Sequence, residues 1–187
     1  RELDSARARV EAAAANVERA RASLDEARIA VGYAALSAPF DAVVIDRYGG
    51  PEVLRLTTVP RPVPTRGQVL VRTRFIGVNP KDVIVRKGKF KIATGKKFPL
   101  IVGHDIAGEV VAAGPEADLA VGDQVYGMIN DFAGRAYAEF AAVDCQQLAL
   151  APSTIPLEVA AAVPLAAQTA LQGLRDDAGL EPGQRVL

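Results

Sequence analysis

The sequence holds a single histidine, His104, and a single cysteine, Cys145, and that pair bounds the metal and nucleophile chemistry open to it. A catalytic zinc takes three protein ligands, commonly Cys and His, and keeps one position for substrate. One His and one Cys do not fill that set. His104 sits in GHDIAG, where the glycines read as a tight turn and the imidazole as a hydrogen-bonded structural group. Cys145, in VDCQQL, has no nominated base to activate it and reads as a packed thiol. No GxGxxG occurs in the sequence, and the nearest phosphate-loop lookalike, GKFKIATGKK, puts six residues between its glycines and Lys97 where Ser or Thr should follow the lysine. The basic run Arg86, Lys87, Lys89, Lys91, Lys96 and Lys97 reads as a solvated loop over a cleft. Its functional alternative is favourable electrostatics for an anionic cofactor or substrate.

The elements that must position these groups read as short strands between glycines. Apolar, β-branched Ala42 to Asp46 is followed by a YGGPE turn, and Val53 to Val59 alternates before PRPVP. Gln68 to Val78 is the clearest strand, with Val69, Val71, Thr73 and Phe75 on one face and Leu70, Arg72, Arg74 and Ile76 on the other. Ile106 to Ala113, Gln124 to Tyr126 and Ala136 to Val143 continue what reads as a small, tightly turned barrel. Past Pro152 the composition turns alanine-rich, predicting two helical segments divided at Pro164, before EPGQRVL begins a further strand. Taken alone, Asn79 is an Asn-Pro turn residue, Asp82 a helix N-terminal acid and Thr169 a hydroxyl inside a helix.

Half of the 187 residues are apolar, enough for one good core and an appendage. Lys+Arg and Asp+Glu balance at 22 each, so no global field attracts nucleic acid or an anionic membrane. No apolar run approaches the ~18 residues of a membrane span. A single cysteine excludes an internal disulfide framework.

Residues 1 to about 35 are of another kind. Leu3, Val10, Val17, Leu24 and Val31 recur at intervals of seven, with Ala6, Ala13, Ala20, Ala27 and Ala34 at the complementary position. That is a coiled-coil seam, and alanine at every d position demands a closely approaching partner helix for residues 3–34. Acids precede bases by three residues at Asp4/Arg7, Glu18/Arg21 and Asp25/Arg28.

Three motifs, GVNPKDVIVRKG, FPLIVGHDIAGEVVAAG and VGDQVYG, together resemble the GroES-like catalytic domain of the medium-chain dehydrogenase/reductase superfamily, most closely its zinc-free quinone oxidoreductase and enoyl reductase branch. The resemblance implies a mainly β fold divided as 42–155, a GroES-like catalytic domain, and 156–187, helices and the first strand of an incomplete Rossmann domain. It implies NADPH as cofactor, no zinc, a quinone or α,β-unsaturated carbonyl as small-molecule substrate, a homo-oligomeric complete enzyme and a cytoplasmic location. Asn79 is then expected to contact the nicotinamide ribose, Asp82 to brace the loop after it, and Thr169 to lie by the nicotinamide. Asn79 and the neighbourhood of Leu165 replace two ligand positions of the zinc-binding members. The glycine-rich pyrophosphate turn does not occur in the sequence, so the chain by itself is expected to be an inactive fragment.

GYAALSAPFDAVV is similar to the helical-hairpin end of periplasmic adaptor subunits of efflux pumps, with Ala42 where that pattern has Gly. This places residues 1–41 as a separate arm with a fusion seam near Asp41 and Ala42, against the plainer reading of an N-terminal helical extension. An adaptor or coiled-coil interaction protein, which would be periplasmic, is the alternative function. Localisation is not readable from an N-terminus beginning at Arg1.

Overall fold

The structure, a computed structural model, describes residues 14–19, 21 and 40–185. The chain divides into two compact units, Arg1–Ala38 and Pro39–Leu187. In the first, residues 14–19 and 21 are helical, and Arg21 meets Glu18 at 3.4 Å as the charge spacing predicts. Both side chains are solvent-exposed, so that pair contributes little. Leu3, Val10, Leu24 and Val31, four of the five a positions, lie outside the described residues, as do Asp4, Arg7, Asp25 and Arg28.

The second unit is built on two antiparallel sheets. Strand β1 (Phe40–Ile45) pairs with β2 (Leu54–Val59) across the glycine turn, and with β4 (Leu100–Ile101) on its other edge. The larger sheet has the order β7-β3-β5-β6-β8, from β3 (Gln68–Ile76), β5 (Asp105–Ala113), β6 (Gln124–Met128), β7 (Phe140–Asp144) and β8 (Leu148–Leu150). The sheets are stitched together where the Val43 N–H donates to the Tyr137 carbonyl at 2.8 Å and the Glu139 N–H to the Asp41 carbonyl at 3.0 Å. This mainly β, barrel-like arrangement is the one the spacing of glycines and β-branched runs predicts. Val69, Val71, Ile106, Val110, Val125, Ala141 and Val143 fill the larger sheet's core, and Ile45, Val53, Val85 and Val102 a smaller one beside β1. Gly108 lets β5 approach β3, since a Cβ there would lie 2.1 Å from the Arg72 carbonyl oxygen.

Several local expectations differ. Strand β3 buries Val69, Leu70 and Val71 in succession and exposes both Phe75 and Ile76. Irregularities at Leu70/Val71 and Thr73/Phe75 break the period-two alternation, which a β-bulge does by adding a residue to one strand. The strand expected from Ala136 joins the ladder only at Phe140, leaving Ala138 in an isolated bridge to Ala42. The basic segment, read as a loop, contains a helical turn, α2 (Lys91–Thr94), after α1 (Pro80–Arg86). The alanine-rich segment forms α3 (Leu157–Ala160) and α4 (Pro164–Leu171), the second continuing as a π-helical turn over Gln172–Asp177. Residues 181–185 are turn and irregular backbone, with no strand among them.

Candidate functional site

Asn79 stands where β3 ends and α1 begins. Its backbone is extended, as the residue before a proline prefers, and Pro80 opens the helix at a position whose N–H would have no helical partner. Asp82, on the first turn of α1, accepts the Asn79 backbone N–H at 2.8 Å, while its own N–H donates to the Asn79 carbonyl at 3.0 Å. This reciprocal closure fixes the entry of the chain into α1.

Around that helix start the fold buries four polar side chains, Asn79, Asp82, His104 and Asp105. Asp82 is their first hub. One of its oxygens meets His104 Nδ1 at 2.5 Å, and the other also accepts the Tyr137 hydroxyl at 2.9 Å. His104 is wholly enclosed, with Nε2 lacking a hydrogen-bond partner. Burial, followed by the Asp82 charge, pushes the Tyr137 phenol well above its ordinary range, so it stays a protonated donor.

Asp105 is the second hub. One oxygen accepts the Asn79 side-chain amide N–H at 2.9 Å and the other the Leu165 backbone N–H at 3.0 Å, at the start of α4. Burial pushes the Asp105 carboxyl up; the Asn79 and Leu165 hydrogen bonds pull it down, the Asp82 charge raises it and His104 lowers it, leaving it above the ordinary carboxylate range. Gly77 makes room for this junction, because a Cβ there would sit 2.8 Å from both the Ala161 carbonyl oxygen and the Asp105 side chain.

Asn79 and Asp82 therefore share one buried network. Thr169 lies on α4, exposed, its hydroxyl donating to the Leu165 carbonyl at 2.7 Å, as a hydroxyl within a helix does. No described hydrogen bond joins Thr169 to Asn79; Leu165 and Asp105 link their two elements. Sequence reasoning missed Asp105 and Tyr137. The signal for the first was a carboxylate directly beside the lone histidine in GHDIAG, and for the second a tyrosine in AYAEF, among small apolar residues.

A zinc set does not assemble from these residues. His104 meets Asp82 through Nδ1 and keeps Nε2 without a partner, but the other positions supply no ligand beside it: the Asn79 amide donates to Asp105, Leu165 offers no side-chain ligand, and Cys145 packs in the core with Val69 and Val143. Among the described residues, no three His, Cys, Asp or Glu side chains are grouped to hold a metal ion. None of the helices described is long and apolar enough to cross a membrane.

A family model described as the alcohol dehydrogenase GroES-like domain matches residues 65–156. The chain is 38% identical over 149 residues to the chloroplastic NADPH-dependent alkenal/one oxidoreductase of Arabidopsis thaliana, a match spanning 75% of this chain and 38% of that protein. It is 38% identical over 148 residues to the 2-methylene-furan-3-one reductase of Solanum lycopersicum, with the same coverage of 75% and 38%. Among solved structures it superimposes on the quinone oxidoreductase of Coxiella burnetii with a TM-score of 0.71 at 27% identity, over 78% of this chain and 47% of that one. An alcohol dehydrogenase superfamily protein of Novosphingobium aromaticivorans gives 0.70 at 39% identity, over 78% and 44%. The chain thus spans under half the length of these relatives.

Proposed function

We propose, from the premise that residues 42–187 belong to the quinone oxidoreductase branch of the medium-chain dehydrogenase/reductase superfamily, that they form the catalytic-domain side of an NADPH-dependent, zinc-independent oxidoreductase. The acceptor is a quinone or an α,β-unsaturated carbonyl. Asn79 carries this reading. Asp105 takes one of its amide N–H groups, which orients the side chain; its carbonyl oxygen faces the Asp82 backbone N–H in the capping box and keeps a second lone pair, an acceptor suited to a ribose hydroxyl.

Reduced nicotinamide, when bound, supplies the hydride. The residues of this chain place and hold it. Asp82 and Asp105 fix Asn79 by backbone and side chain, and Asp105 ties that loop to α4, so that Thr169 and Asn79 ride on one connected frame. A conjugated acceptor needs no Lewis acid, because the charge that develops on its oxygen is met by hydrogen-bond donors and solvent, which also returns the proton. An amide at Asn79 and an aliphatic side chain at Leu165, where the zinc-binding members have ligands, support zinc independence.

The same reading keeps an N-terminal arm with a partner helix for residues 3–34, but moves its end from 41 to 38, because Phe40 and Asp41 pair with β2 as part of β1; it divides the remainder at 155/156 and places a homo-oligomeric complete enzyme in the cytoplasm. The relatives reported are oxidoreductases, and the adaptor alternative gains nothing from them. The test joins residues 42–187 to the remaining half of a relative and follows NADPH oxidation. Turnover with a quinone or an enone, and none with a simple ketone, is the expected result; the reverse preference overturns the reading.

A further inference from the structure

Between Asp82 and Asp105 the chain carries no acid at all, while Arg86, Lys87, Lys89, Lys91, Lys96 and Lys97 fall within it. All five of those lysines are exposed, and none forms an ion pair among the described residues. At their centre, α2 lifts Ile92 into solvent at 97% exposure, with Phe90 and Phe132 exposed nearby and their rings 6.5 Å apart. An isoleucine left almost wholly in water is an unusual use of an apolar side chain beside five cations.

The exposure is built into the fold. The Tyr48 hydroxyl meets Thr94 Oγ1 at 2.6 Å and donates to the Gly95 carbonyl, and the Tyr48 ring packs edge-on to Phe98 at 5.1 Å. Gly88, at φ +75, lies so close that a Cβ there would be 2.7 Å from the same ring. Tyr48 thus fastens the segment from both ends and leaves α2 as the apex. Of the neighbouring acids, Asp131 pairs with Arg135 at 3.3 Å and accepts the Ala133 and Gly134 N–H groups, while Glu52 accepts the Gly50 N–H and interacts with Arg47 and Arg86, leaving the five lysines without an ion pair among the described residues.

We infer that this apex is a docking surface for an anionic lipid bilayer, with Ile92 and Phe90 entering the headgroup boundary and Lys87, Lys89, Lys91, Lys96 and Lys97 facing the lipid phosphates. The charge is complementary to the membrane, and lysine stems lie along apolar surface while their heads reach the phosphates. Nucleic acid would reward the lysines and leave Ile92 in water. One apolar side chain and a basic cluster make a weak, reversible contact, since stable anchoring takes more apolar insertion than this. The inference stands apart from the proposed hydride chemistry.

The test is cosedimentation of the full 187-residue chain with vesicles of phosphatidylcholine alone or with about a third phosphatidylglycerol, at low and high salt, beside a gel-shift with RNA. Binding is expected to the anionic vesicles only and to be released by salt. Each Lys→Gln change at Lys89 or Lys91 should weaken it about fivefold. Ile92→Ser should weaken it at unchanged charge; all these positions are exposed, and circular dichroism checks that the fold is kept. Equal binding to neutral vesicles, no binding, binding that survives Ile92→Ser, or tighter binding to RNA would each overturn the inference.

Discussion

The Asp105 carboxylate accepts the Asn79 side-chain amide at 2.9 Å, and by its other oxygen it also accepts the Leu165 N–H at 3.0 Å. One buried side chain therefore sets the orientation of the residue proposed to hold the cofactor and secures the helix beside it. Asp105→Ala should leave a buried donor on Asn79 and a half-buried one at Leu165 without partners, at about 1–3 kcal/mol each. Urea unfolding is expected to show a total loss of about 2–5 kcal/mol. A loss below 1 kcal/mol would mean that water or another group satisfies both.

The same residue gives a pH dependence. Its folded carboxyl lies above the ordinary value of 3.8, so the folded state holds this proton more tightly than the unfolded chain does. That contribution is complete below the ordinary value and is lost as pH rises through the raised folded value. Asp105→Asn cannot titrate. Unfolding free energies of the two proteins across the acid range should show the wild type losing ground to Asp105→Asn as pH rises above the ordinary value; an opposite slope contradicts the direction assigned to Asp105.

At Gly77 the backbone has no room for a methyl group, with the Ala161 carbonyl and Asp105 each 2.8 Å from where it would lie. Gly77→Ala should cost about 1–3 kcal/mol by forcing the segment around α3 away from β5. Hydrogen exchange at Leu165, whose N–H is held by Asp105, is expected to quicken in the variant. Unchanged protection there would show that the junction has more slack than its geometry suggests.

Elemental analysis bears on zinc independence. The purified chain should carry well below one zinc per molecule, and a chelator should leave its thermal unfolding unchanged. Stoichiometric zinc lost on His104→Gln would contradict it.

What the sequence made legible was local. Gln68 to Val78 reads as a strand because β-branched and apolar residues alternate along it, and the observed strand ends at Ile76, before Gly77; Asn79-Pro80 reads as a turn and Asp82 as the acid of a helix N-terminus, which is where α1 begins. The faces of Phe75 and Ile76 were not legible, because the irregularities that turn them out belong to the pairing with β5. Helix α2 is a single turn between Gly88 and Gly95, too short for periodicity to register. Asp105 and Tyr137 owe their roles to partners 26 and 55 residues away, a relation that no spacing in the chain displays.

The central claim is that Asn79, held by Asp105, contacts the cofactor of an enzyme that reduces conjugated carbonyls or quinones. It is tested most directly in the polypeptide that joins residues 42–187 to the other half of a relative, by steady-state kinetics with NADPH and a simple quinone. Asn79→Ala should raise the KM for NADPH on the order of tenfold, as loss of one well-placed hydrogen bond does, with a smaller effect on the KM for quinone. An unchanged KM for NADPH in a folded, active Asn79→Ala enzyme would contradict the assignment.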